Sequence, residues 1–338
     1  MPATATLLRL GLPLLMGLTA SPGMAQEQGV PAPSHSLAQR GQALPSLTES
    51  DSSRQPTQQN PVLPAVPSQD VAPVPVAVPG VLAWPAPGAP LRVAEVRFPK
   101  GFGKRRIFLD AGHGADGNTG NRSVTCEDEA SFTLRASEDL ARRLEATGHF
   151  RVRISRKAGE RVPYASRLNA ARAWNAHVLL SLHSDARGMA SPWEPAPGQQ
   201  CYRQDASPGF SVLWSEEADA PLREQRARLA RALARGLEHA GFRYYDGADY
   251  TGLYAADSAQ PGVFVTRVSE PTHRRIFVLR RPTIPSVIIE THHALDFEEA
   301  ARWREERTLE AFAAAVAQGL VDALAPPAPP GSSAAARP

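Results

Sequence analysis

The stretch Ile107-Phe108-Leu109-Asp110-Ala111-Gly112-His113-Gly114 constrains this chain more than any other. A short apolar run built mostly from β-formers stops at an acid, and two glycines then turn the chain sharply with one histidine between them. The pattern predicts a strand whose carboxyl end carries a ligand. Two later runs repeat it: Val178-Leu179-Leu180-Ser181-Leu182 leads into His183, and Val287-Ile288-Ile289 leads into Glu290. Continuous apolar runs suit strands buried on both faces, and open α/β sheets place their chemistry beyond the carboxyl ends of such strands. Three separated segments are therefore expected to converge on one crevice.

Around these runs, strand-like and helical patterns alternate. Strands are expected at 106–110, 152–155, 178–182, 210–214, 276–279 and 287–289, and helices at about 130–146, 164–174, 221–239 and 297–324. The last helix opens on Asp296 with Glu299 three residues on, the spacing of a capping box. The alternation predicts an α/β fold: a single mostly parallel or mixed sheet of about six strands, with helices on both faces. Segments 185–208 and 242–273 read as long loops, either binding walls or plain insertions. In the second, Tyr244, Tyr245, Tyr250 and Tyr254 make lining or gating of the crevice the functional reading.

The 338 residues include 32 prolines, and their uneven placement argues for one folded domain rather than two. Residues 26–95, rich in Pro, Ala, Ser, Gln and Val, cannot bury enough apolar surface to offset ordering entropy and read as a disordered linker. Residues 325–338 read as a disordered tail, which leaves 96–324 as the folded domain. Residues 1–25 combine a short apolar core with small residues before a cut after Ala25, the form of a signal peptide too short to span comfortably. The expectation is an exported protein, periplasmic or extracellular, with no stable membrane insertion once the signal is removed. In an oxidising compartment Cys126 and Cys201 are a candidate disulfide, with free thiols, or Cys126 as a soft zinc ligand, as alternatives. The net charge of +3, spread over many helices, reads as a solvated surface and not as a nucleic-acid footprint. No G-x-S-x-G elbow or P-loop supports a serine hydrolase or a nucleotide site.

A catalytic zinc site takes three ligands of His and carboxylate type and keeps a fourth position open. His113 and His183 are the natural nitrogen donors. The third donor is expected from Glu127-Asp128-Glu129, where the chain enters its first helix and exposed amides hold a carboxylate ionised. Glu290 then remains for general-base work.

Asp110-Ala111-Gly112-His113-Gly114, the acidic helix start, Ser181-Leu182-His183-Ser184-Asp185 and Pro285-Ser286-Val287-Ile288-Ile289-Glu290 resemble four signature blocks of one family. That family is the zinc-dependent N-acetylmuramoyl-L-alanine amidases of the Amidase_3 type, and the likeness runs in order from about residue 105 to 322. The resemblance implies zinc as cofactor, His113, Glu129 and His183 as its ligands, and Glu290 as catalytic carboxylate. Glu129 is preferred because counting from it places Phe132, Leu134, Leu140 and Leu144 on the family helix's apolar positions; Glu127 is the alternative. The implied partner is peptidoglycan, cut between the lactyl group of N-acetylmuramic acid and L-alanine, with any activator protein unidentified. Arg167 matches a family helix pattern with a structural role. Ala111, Ala115, Asp185 and the run Thr291-His292-His293-Ala294 depart from the family pattern. His292 and His293 read as cleft-lining or ligand-supporting groups, or as loop histidines, and His149, His177, His239 and His273 as surface residues. Two other functions stay open: a zinc amidohydrolase or peptidase acting on another bond, and a non-catalytic wall-binding or regulatory protein of the same fold.

Overall fold

The computed structural model describes residues 91–250, 252, 254–267, 269 and 276–325. Residues 1–90, which hold the expected signal segment and nearly all of the expected linker, and residues 326–338 of the expected tail lie outside the described residues, as does His273. In chain order the elements are β1 (Arg105–Ala111), α1 (Glu129–Ala146), β2 (Phe150–Ile154), α2 (Tyr164–Ala173), β3 (Val178–Asp185), β4 (Ser191–Ala196), β5 (Gln199–Arg203) and β6 (Ser211–Ser215). They continue with α3 (Ala220–Ala240), β7 (Ala255–Ala256), β8 (Val263–Thr266), α4 (Phe277–Arg280), β9 (Ser286–His293), α5 (Phe297–Arg302) and α6 (Glu306–Leu324).

Seven strands form one sheet in the order β2-β1-β3-β9-β6-β8-β7. Strands β2, β1, β3 and β9 run parallel, β6 pairs antiparallel with β9 and parallel with β8, and β7 closes the edge antiparallel. The alternation within each strand sorts the core. Ile107, Leu109, Leu180, Leu182, Val287 and Ile289 face one side, where they pack with α1, α3 and α6. On the other side Phe108 and Leu179 meet α2, while Leu213, Phe264 and Ile288 meet α4 and Tyr250. Burial on both faces is why these runs are continuously apolar. The observed fold is thus an α/β sheet, mostly parallel, with helices on both faces.

Several elements differ from the sequence reading. Residues 276–279 are not a strand: Leu279 N and Arg280 N both donate to Ile276 O, making the short helix α4. A run of four apolar residues carries too little periodicity to separate the two forms; packing of Val278 and Leu279 into the Phe264 cluster decides it. The helix expected over 297–324 is two, α5 and α6, because the chain turns where Trp303 enters the core between His292 and Phe312. Asp296 caps α5 by accepting from Glu299 N at 2.9 Å. The Glu299 carboxylate does not return the bond to Asp296; it accepts from Gly209 N and His293 N instead. Segment 185–208 is not plain loop, since β4 and β5 pair in an antiparallel hairpin within it. Segment 242–273 contributes β7 and β8, which bring the main sheet to seven strands.

Candidate metal centre

His113 leaves the carboxyl end of β1 in the left-handed region, at φ +58°. Gly112 precedes it for steric reasons, since a Cβ there would lie 2.6 Å from the His183 ring. His183 comes from β3 and Glu129 is the first residue of α1. The three side chains converge, each imidazole facing a different oxygen of the Glu129 carboxylate. His113 Nε2 lies 3.1 Å from His183 Nδ1 and 3.0 Å from Glu129 Oε2, and His183 Nδ1 lies 3.0 Å from Glu129 Oε1.

Neighbouring groups fix which atoms face the centre. Asn118 Oδ1 accepts from Gly120 N and sits 2.6 Å from His113 Nδ1. That nitrogen must therefore carry its proton, leaving a lone pair on Nε2 toward Glu129. Glu129, 4% exposed, is held by Asn121 N and Nδ2 on Oε2 and by Ser184 N on Oε1. Burial opposes its ionisation, but hydrogen bonds and charge from His113 and His183 hold the carboxyl well below the usual carboxylate range. Burial likewise opposes protonation of His113, and Glu129 outweighs it and raises the imidazole pKa.

Two imidazole nitrogens and a carboxylate converging this closely fit a divalent cation. Ligands about 2.1 Å from a tetrahedral zinc stand roughly 3.4 Å apart, a few tenths of an ångström wider than the separations here. His183 Nε2 is buried with no hydrogen-bond partner among the described residues. Among the described residues, His113, Glu129 and His183 form the one group with this ligand spacing. Glu127 lies outside it, its carboxylate paired with Arg135 at 3.0 Å.

Glu290 is the register partner of His183 across β3 and β9, 6% exposed, with Oε2 unpartnered among the described residues. Burial, then the charges of Asp185 and Glu129, raise its pKa well above the ordinary carboxylate value, against an opposing pull from Arg187. Asp185 ends β3 and accepts from Arg187 Nε and the Tyr250 hydroxyl. Tyr245 and Tyr250 are buried in the Phe264 cluster, so they do not line an open cleft; Tyr254 stands edge-on to Tyr250. His292 and His293 are not loop residues: both belong to β9 and are at most 3% exposed, and His292 lines a small pocket beside Glu129, Ser184 and Trp303. Cys126, three residues before Glu129, is disulfide-bonded to Cys201 of β5. Behind β1, Arg167 bonds Asp110 Oδ1 at 2.9 Å and also the carbonyls of Ala111 and His113. Asn118, Asn121 and Arg156 support the cluster without any signal in the sequence beyond a turn-rich loop and a strand end.

The chain matches the Amidase_3 family, N-acetylmuramoyl-L-alanine amidase, over residues 107–322. It is 27% identical over 229 residues to the probable N-acetylmuramoyl-L-alanine amidase AmiB of Haemophilus influenzae, covering 64% of this chain and 51% of the relative. The chain thus spans about half the length of that curated relative. Among solved structures it is similar to the N-acetylmuramyl-L-alanine amidase Ami1 of Mycobacterium smegmatis, with a TM-score of 0.50, 19% identity, and coverage of 66% of this chain and 98% of that one. The apo form of Ami1 from Mycobacterium abscessus gives a TM-score of 0.49 at 19% identity, covering 66% of this chain and 99% of that one. The family match takes in the β1 turn, the start of α1 and the ends of β3 and β9, the four segments that build this centre, and the chain belongs to the Amidase_3 family of N-acetylmuramoyl-L-alanine amidases.

Proposed function

We propose that this chain is a zinc-dependent peptidoglycan hydrolase that cleaves the amide between the N-acetylmuramic acid lactyl group and L-alanine of the stem peptide. The observation that carries the reading is the His113, Glu129 and His183 triangle with Glu290 on the adjacent strand. His113 Nε2, His183 Nδ1 and a Glu129 oxygen would hold the ion. A zinc ion held there supplies Lewis acidity, polarising a carbonyl and bringing the pKa of water down toward about 7.

Glu290 does the proton work. Its carboxylate takes a proton from the attacking water, the C–N bond of the amide breaks, and the same group delivers that proton to the departing nitrogen of alanine. An upward-shifted carboxyl suits both directions, because a group titrating nearer neutral pH can accept and release within one turnover. Asn118, Asn121 and Ser184 N keep the donor set oriented.

The same reading takes residues 1–25 as an export signal, 26–95 as a linker that gives reach, 96–324 as the catalytic domain and 325–338 as a tail. Among the described residues, no helix is long and apolar enough to cross a membrane. Glu290→Gln is expected to bind one zinc like the wild type and to lose about 10²–10⁴ in turnover of purified peptidoglycan. Mass spectrometry of wild-type products should show a new N-terminal L-alanine. Cleavage without that terminus would assign the enzyme to another bond, and binding without cleavage would make it a wall-binding protein.

A further inference from the structure

Arg156 follows β2, is 5% exposed, and has no part in the chemistry described above. Its guanidinium donates from Nε to Ala111 O at 3.0 Å and from Nη2 to Gly112 O at 3.0 Å. Nη2 also reaches Ala130 O at 2.6 Å and Thr133 Oγ1 at 3.2 Å. The first pair of acceptors belongs to the turn that ends in His113. The second pair belongs to the first turns of α1, next to Glu129. One planar cation therefore spans two segments that each carry a donor of the centre, and all four of these acceptors are neutral. Thr133 Oγ1 adds a direct link by donating to Gly112 O at 2.7 Å. The turn is shaped around the guanidinium: a Cβ at Gly114, whose φ is +74°, would sit 2.7 Å from Arg156 Cζ. Arg167 differs in reach, since its bonds go to Val162, Asp110, Ala111 and His113 and none to α1.

We propose that Arg156 is a positioning residue for the metal centre, tying the His113 turn to the start of α1 and so setting the His113–Glu129 separation and the affinity for zinc. The inference rests on the zinc reading given above. His113 sits in the left-handed region, and a non-glycine residue persists there only where its surroundings over-determine it. Without Arg156 the turn can relax away from α1, and the donors must then be gathered by the ion itself. Lysine cannot replace the fork, because its single ammonium carries no planar set of donors.

The test uses the full chain with Arg156→Met, Arg156→Lys, Thr133→Val and, as control, Arg153→Met on the exposed side of β2. Zinc affinity is measured by competition with a chelator of known affinity, alongside circular dichroism and turnover at saturating zinc. Loss of groups that orient metal ligands weakens binding about 10–100-fold, and that range is expected for Arg156→Met. Arg156→Lys should fall between it and the wild type, Thr133→Val should weaken binding several-fold, and Arg153→Met should not change it. Turnover at saturating zinc should stay within several-fold of wild type for Arg156→Met. A folded Arg156→Met with a lowered Tm and unaltered zinc affinity overturns the inference, because its role is then stability alone. Should Arg156→Met fail to fold, wild-type affinity in both Arg156→Lys and Thr133→Val overturns it equally. A wild-type chain that binds no zinc overturns the zinc reading itself and this inference with it.

Discussion

Asp110 is 1% exposed at the end of β1 and still ionised. Burial pushes its pKa up, but the Arg167 charge and the Ser181 hydroxyl, 2.7 Å away, more than offset this and the carboxyl stays below its usual value. Removing one member of a buried pair strands the other charge. Asp110→Asn should therefore cost about 3–5 kcal/mol in urea unfolding, whereas Ser181→Ala should cost about 1 kcal/mol. Equal effects from the two would mean that Arg167 finds other acceptors. Single residues also mark how far the sequence could be read. His113, His183 and Glu290 were legible because each follows an apolar run, and parallel strands bring the far ends of such runs together. Choosing Glu129 over Glu127 required helix register, since both are acids within three positions. Asn118 and Arg156 were illegible for a physical reason: Arg156 binds backbone carbonyls and Asn118 a ring nitrogen, and such partners leave no pattern in the sequence until the chain is folded.

At the scale of elements, what was legible followed the strength of the burial signal. Strands β1, β3 and β9 are covered on both faces and α1 and α3 bury one face each, so pattern and structure coincide there. The errors fall where tertiary contacts overrule local pattern. Pro192 and Pro195 argue against a strand, yet β4 belongs to a two-stranded hairpin whose open edges need no donor from proline. Nothing in 303–305 breaks a helix by composition; Trp303 does it by packing. The hairpin is fastened to the loop before α1 by Cys126–Cys201, which are 75 residues apart in sequence. Closing a loop of this length removes unfolded-state entropy worth about 4 kcal/mol. Replacing both cysteines by serine should lower the Tm by roughly 10 °C for a domain of this size, and the wild type in reductant should behave the same way. A wild-type Tm that ignores reductant while the double variant melts early would place the effect in cysteine packing rather than in the crosslink.

Across the whole molecule, β9, α1 and the α5–α6 junction meet around His292, whose ring lies 4.9 Å from that of Phe132 and 5.4 Å from that of Trp303. Burial, then the nearby positive charges of His293 and Arg187, push its pKa down to about 3, while an unfolded histidine titrates near 6.5. The folded state therefore keeps this imidazole neutral where the unfolded chain would protonate it. Its contribution to stability is present in full above pH 6.5 and is lost as the pH falls toward about 3. Other groups act in the opposite sense: Glu299, raised to about 7 by burial, makes the fold less stable as the pH rises through that value. Absolute stability profiles mix the two kinds, so the informative quantity is a difference between two chains measured at the same pH. Linkage gives up to about 1.4 kcal/mol per pH unit for one group whose pKa differs between states. The stability of the wild type relative to His292→Leu, from urea unfolding with a chelator present throughout, should be constant from pH 8 to 7. It should then fall by about 2 kcal/mol between pH 6.5 and 5, because leucine has no proton to gain on unfolding. A difference that stays flat down to pH 4 would mean that the fold admits an imidazolium at the junction of β9, α1 and α5.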